Sequence, residues 1–201
     1  MAGVTTMRAG TVHDLPGAYR VCLLTAAAGG DASARHGDPD LLGHVWAGPY
    51  LAFPDAVSRV IHDERGVAGY CLAVPDTASF EQWVERVWLP PLQARYPLGS
   101  GTTPDDAALV ERLHHQPRTD AALLATHPAH LHVDLLPRLQ GHGWGRRVMQ
   151  AVLDDLAKAG AVGVHLGVDE ANTPAQAFYE RLGFTELTAS PGARWYGKPL
   201  R

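Results

Sequence analysis

The chain has 201 residues, 46% of them hydrophobic, with a formal charge of −4 and eleven histidines. That length and apolar content suit one domain with a real core, and the mildly acidic balance argues against a nucleic-acid partner, which calls for a strongly basic face. No run of about 20 apolar residues exists to cross a membrane, residues 1–20 lack the apolar stretch and cleavage site of a secretory signal, and Cys22 and Cys71 read as buried thiols, so the expectation is a cytoplasmic chain without membrane contact.

In chain order, residues 4–9 read as a first strand. Residues 13–28 read as a helix with Leu15, Tyr19, Val21, Cys22 and Leu23 crowding one side, closed by Gly29-Gly30-Asp31. Residues 40–45 predict a short helix, because Pro49 and Pro54 punctuate the stretch after it. Apolar stretches at 57–61 and 67–74 flank the polar 62–66 and predict a β-hairpin. Residues 75–128 carry helical pieces at 80–88 and 104–115, separated by Pro90-Pro91 and by 97–101. They lack strands of their own, so they read as a helical insertion between the third and fourth strands. The regular pattern then resumes: strand 130–136, helix 145–159, strand 161–168, helix 174–182, and short strands at 184–188 and 194–196. The strand–helix–strand–helix alternation predicts parallel pairing of strands 130–136 and 161–168. Residues 1–201 are thus expected to form a single α/β domain.

The most informative stretch is Leu135-Leu136-Pro137-Arg138-Leu139-Gln140-Gly141-His142-Gly143-Trp144-Gly145-Arg146-Arg147. A strand enters a glycine-rich turn, and the turn opens an amphipathic helix. Such a turn can aim consecutive backbone N–H groups from Gly141 through Arg146 at one point, and the helix start adds its unpaired donors and positive dipole end. The expected ligand is a pyrophosphate. At Gly143 and Gly145 a side chain would block close approach, or a positive φ is required. Arg146 and Arg147 stand where a guanidinium could reach a phosphate.

Gln140-x-x-Gly143-x-Gly145 after the strand, followed by Asn172-x-x-Ala175-x-x-Phe178-Tyr179-x-x-x-Gly183-Phe184, resembles the two-part acyl-CoA signature of the GNAT superfamily of acyltransferases. Residues 130–137 and 163–168 further resemble the acetyltransferase-like domains found at the C-terminus of O-GlcNAcases and as stand-alone bacterial chains. The resemblance implies a GNAT-like α/β (α+β) fold: a mixed, mostly antiparallel sheet with helices on both faces and one parallel pair splayed at the coenzyme site. It implies acetyl-CoA as co-substrate, held by Leu135, Leu136, Gln140, Gly141, His142, Gly143, Trp144, Gly145, Arg146, Asn172, Ala175, Phe178 and Tyr179. The Leu135 N–H is the implied partner of the thioester carbonyl, Asn172 of a pantetheine amide, and the Tyr179 hydroxyl the implied proton donor to the departing thiolate. Trp144 stands where the family has an aliphatic residue.

The residues also suggest a general base. Strand alternation places His130, His132 and Asp134 on one face. A carboxylate on a central strand needs a partner or a wet cleft, so Asp134 comes first and His132, with its titration range, second; Asp169 and Glu170 are third choices. No metal is expected, because side chains at i, i+2 and i+4 on a strand span about 13 Å, too far for one ion. Most of the histidines are expected on the surface. Trp46, Tyr50, Trp83, Trp88 and Tyr96 are candidates for an acceptor entrance, each with core packing as its competing role. The expected function is acetyl transfer to an amine, either a small molecule or a protein lysine, by direct attack in a ternary complex of a monomer or homodimer. Neither cysteine lies on the motifs, which disfavours a covalent acyl-enzyme. The alternatives are a module that holds acetyl-CoA without turnover and a general nucleotide-phosphate binder.

Overall fold

A computed structural model describes residues 4–200. Seven strands make one sheet: β1 (Thr6–Ala9), β2 (Arg59–Asp63), β3 (Gly66–Val74), β4 (Ala129–Leu135), β5 (Gly163–Asp169), β6 (Thr185–Ser190) and β7 (Ala193–Pro199). Their spatial order is β1-β2-β3-β4-β5-β7-β6. Every neighbouring pair is antiparallel except β4 and β5, which run parallel as their helical crossover requires. The fold is the mixed, mostly antiparallel sheet with helices on both faces that the sequence led us to expect.

Nine α-helices surround it among the described residues: α1 (Leu15–Leu23), α2 (Leu41–Trp46), α3 (Gly48–Ala52), α4 (Thr77–Trp83), α5 (Leu89–Arg95), α6 (Pro104–His114), α7 (Ala121–Thr126), α8 (Trp144–Lys158) and α9 (Thr173–Arg181). None is long and apolar enough to cross a membrane. Strand alternation sends side chains to two clusters. Val60, Tyr70, Leu72 and Val74 pack on one face under residues of α1 to α6, including Val21, Leu41, Phe80 and Leu113. Ile61, Cys71, Ala73, Leu131 and Leu166 pack on the other against Val148, Met149, Val152 and Leu156 of α8 and Tyr179 of α9. The β3 strand is buried from Val67 to Val74, which makes it the spine of both cores.

Several expectations need correction. The first helix stops at Leu23, and residues 25–30 form a tight turn instead, with reciprocal bonds between Ala27 and Gly30. The short helices α3 and α7 were not anticipated. Pro90-Pro91 does not break the chain into pieces. Both prolines sit in the first turn of α5, where their missing N–H groups cost nothing. A wide π-type turn over Val84–Trp88 joins α4 to α5, with the Leu89 N–H reaching back to the Val84 carbonyl. The histidines are not mostly superficial either: only His13, His115 and His142 are exposed.

Candidate functional site

Strands β4 and β5 start side by side and then part. Their ladder holds only Ala129 with Val164 and His130 with His165. Beyond that point a cavity of about 970 Å³ opens between them. Its walls come from β4, the glycine turn, the start of α8, the inner side of α9, and the turn after α1.

The exposed backbone of β4 gives this opening its chemistry. The Leu136 N–H donates to the Ala68 carbonyl at 2.9 Å, in register with Gly69 opposite Leu135. Backbone groups alternate sides along an antiparallel strand, so Leu135 and Val133 turn their N–H groups the other way, toward the missing part of the β5 ladder. Two donors therefore face the cavity. The Leu135 carbonyl on the same edge accepts from the Gln140 side-chain amide at 2.9 Å. The Leu135 side chain packs with the second cluster, pressed against Gly69 and Gly145.

At the end of β4, Gly141 and Gly143 take φ of 74° and 77°, left-handed values that favour glycine. Gly145 is glycine for another reason, since a Cβ there would lie 3.2 Å from Phe178 and 3.3 Å from Leu135. Gly143 is the N-cap of α8 and offers no side chain to the first turn, which also lacks any acidic residue. The N–H groups and positive dipole end of a 15-residue helix are left for a ligand. Arg146 lines the cavity; Arg147 instead lies over the Trp144 ring at 4.1 Å.

The two catalytic candidates meet on this cavity from opposite walls. Asp134 of β4 is held by the Tyr70 hydroxyl, which donates to it at 2.6 Å. Burial pushes the Asp134 carboxyl above its usual range, and the Tyr70 bond only partly offsets this. Tyr179 of α9 is 7% exposed, and burial, reinforced by the Asp134 charge, raises its hydroxyl well above the ordinary phenol value. His132 lines the same cavity between Trp46 and Tyr50, at ring separations of 5.6 and 5.1 Å. Burial, with the nearby Arg112 charge, lowers its pKa to about 4. Asn172 caps α9 through its side-chain oxygen, which accepts from the Ala175 N–H at 3.2 Å.

Of the residues singled out from sequence, Asp134, His132, Leu135, Gln140, Gly141, Gly143, Gly145, Arg146, Asn172, Ala175, Phe178 and Tyr179 line the cavity. Leu136, His142 and Trp144 do not: Leu136 is buried in the first cluster with its N–H spent on Ala68, His142 is exposed, and Trp144 sits under Arg147. Asp169 reaches the cavity and Glu170 does not. Among the five aromatic candidates only Trp46 lines it. Tyr50 and Tyr96 are buried, and Trp83 stacks with Trp88. Tyr70, which donates to Asp134, and Arg112, whose charge bears on His132, were not foreseen. Strand alternation in the hairpin was the available signal for Tyr70, but its pairing with Asp134 needs the β3–β4 register.

Residues 105–184 match the model of the Acetyltransferase (GNAT) family. The crystal structure of SsHAT superposes with a TM-score of 0.84 at 34% identity, covering 98% of both chains. Structures of lower identity share the fold, among them yncA, a putative acetyltransferase from Salmonella typhimurium solved with its cofactor acetyl-CoA (TM-score 0.56, 15% identity, 98% of this chain and 94% of that one). Protein O-GlcNAcase from Rattus norvegicus is 24% identical over 157 residues, 77% of this chain, and the chain spans only 17% of that relative's length. The chain belongs to the GNAT family of acetyltransferases.

Proposed function

We propose that the chain transfers an acetyl group from acetyl-CoA to an amine by direct attack in a ternary complex. The observation that carries this is the parting of β4 and β5, which leaves the Leu135 N–H facing a cavity bordered by the glycine turn and by both Asp134 and Tyr179. In this reading the N–H groups of Gly141 through Arg146 hold the pyrophosphate, with Arg146 as counter-charge. The pantetheine arm lies along the free edge of β4, and the unengaged amide N–H₂ of Asn172 meets one of its carbonyls. The Leu135 N–H binds the thioester oxygen. As the amine nitrogen attacks the carbonyl carbon, that donor stabilises the oxyanion, a contribution of about 3 kcal/mol in acyl-transfer enzymes.

Asp134 takes the proton that the amine must shed, for which a carboxyl raised by burial is better suited than His132 with its pKa of about 4. Tyr179 keeps its proton through neutral pH and gives it to the sulfur as the C–S bond breaks. Both cysteines are buried, and burial lifts Cys22 to about 12, so neither supplies a thiolate for an acyl-enzyme. The chain acts as one unit, with α6 of segment 75–128 lining a smaller cavity beside the one between β4 and β5.

Calorimetry with acetyl-CoA, then free-thiol release across a panel of amines, tests the proposal. Binding together with amine-dependent release is the expected result. Binding without release from any amine makes the chain an acetyl-CoA-binding module, and no binding at all removes the coenzyme site.

A further inference from the structure

Four arginines among the described residues are not exposed: Arg59, Arg112, Arg138 and Arg194. Three have carboxylate partners, with Arg59 on Asp155, Arg138 on Asp63 and Arg194 on Glu186. Arg112 of α6 has none. Its Nε is buried without a hydrogen-bond partner, and its guanidinium lies over the Trp46 ring at 4.3 Å. A half-buried cation without a counter-charge is costly unless something else supplies one.

The surroundings say what that would be. Arg112 lines a second cavity, of about 360 Å³, together with Asp105, Ala108 and Leu109 from the same face of α6. Ala26 and Leu42 border both this cavity and the larger one, so the two share a wall. Trp46, on which Arg112 stacks, and His132, whose titration the Arg112 charge depresses, both line the larger cavity close to Asp134. Asp105 is already bound to Arg35, and Asp106 is occupied by His36, Thr102 and the N–H groups of Gly37 and Asp38. Stacking on the indole face leaves the rim of the guanidinium free, and its paired N–H groups in one plane fit the two oxygens of a carboxylate.

We infer that Arg112 receives the carboxylate of the acceptor, so that the substrate is a small amine that also carries a carboxyl group, with its amine directed toward Asp134. The inference rests on the acetyl-transfer reading above. Trp46 acts with Arg112 as the platform that holds the guanidinium in place, and Ala26 and Leu42 lie between the two cavities, so the acceptor's carboxyl group is carried on a stem long enough to pass them.

The test uses the full chain with acetyl-CoA and matched acceptors, ω-amino acids of increasing stem length against their primary amides. The expected result is a kcat/KM for the carboxylate form roughly 10- to 100-fold above that of the amide, the range of one charge-assisted hydrogen-bonding contact. In Arg112→Gln that ratio collapses toward one, mainly through KM, and Arg112→Lys restores part of it. Equal use of acid and amide by the wild type, or an equal loss for both in Arg112→Gln, overturns the inference. So does a peptide with an acidic side chain outperforming every free amino acid. A parallel binding arm, thermal shift of the coenzyme-A-loaded protein with N-acetylated ω-amino acids against their primary amides, keeps the two claims apart. Carboxylate-selective binding that vanishes in Arg112→Gln without any turnover sinks acetyl transfer and upholds the anion pocket. Turnover with no carboxylate preference does the reverse.

Discussion

At the scale of single residues, the structure separates candidates that the sequence left side by side. His132 and Asp134 share a strand face, yet burial acts on them in opposite ways. It strips His132 of basicity, to about 4, and it raises Asp134 above the usual carboxylate value. We therefore expect Asp134→Asn to lower kcat by about 10²–10⁴-fold with little change in acetyl-CoA affinity, the range for one proton-transfer group. The wild-type rate should fall on the acid side with a midpoint above the ordinary carboxylate range, and that limb should disappear in the variant. A wild-type profile flat down to about pH 4, the ordinary carboxylate value, would exclude Asp134 as the base. Asp134 was legible because a carboxylate in a central strand needs a reason to be there. Tyr70, which holds it, was not, since the two lie 64 residues apart and meet only through the strand register. Arg112 was hidden for the same reason: on the sequence it is one arginine on an amphipathic helix, and only the tertiary packing shows that it lacks a partner.

At the scale of elements, the signature segments were the most legible, because a glycine turn and the helix it opens are set by local rules. The strand, turn and helix from Ala129 to Lys158 fall within a residue or two of expectation. The insertion was less legible. Prolines look like breaks until Pro90 and Pro91 fall in the first turn of α5, and α3 and α7 are too short to show a period. The contact of α8 with α9 gives a direct check on the coenzyme site. Gly145 stands against Phe178 and Leu135, so Gly145→Val drives methyls into both residues, an overpacking cost of about 1–3 kcal/mol. We expect this variant to lose about tenfold or more in acetyl-CoA affinity by calorimetry, with its circular dichroism spectrum retained. Unchanged affinity would mean that the α8–α9 contact does not shape the coenzyme cleft.

At the scale of the whole molecule, the architecture was legible as a class, while the way seven strands distribute their charged and polar residues was not. His130, His132 and His165 gather inside, with neighbouring ring centroids 6.1 and 5.6 Å apart, and His130 is bound by Tyr50 and Thr77. Burial lowers all three from the ordinary imidazole value of 6.5. The unfolded chain then binds more protons than the native one below about pH 6.5, so stability should decline from there toward about pH 4. Asp134 works against this decline in the carboxylate range, because its raised native pKa favours the folded form as acid increases. Below about pH 4 the loss passes to Asp14, which the Arg8 ion pair holds near 2 despite the opposing effect of burial. Urea unfolding midpoints measured from about pH 7 to about 4.5 should fall steadily; a flat series would contradict the buried histidine trio. The divergence of β4 from β5 has one more consequence. A sheet normally spends its hydrogen-bonding capacity on itself, and this one keeps an unclosed seam through its centre. On the proposed reading, an extended amide-bearing molecule entering that seam would become a guest strand, and catalysis and the completion of the fold would draw on the same backbone atoms.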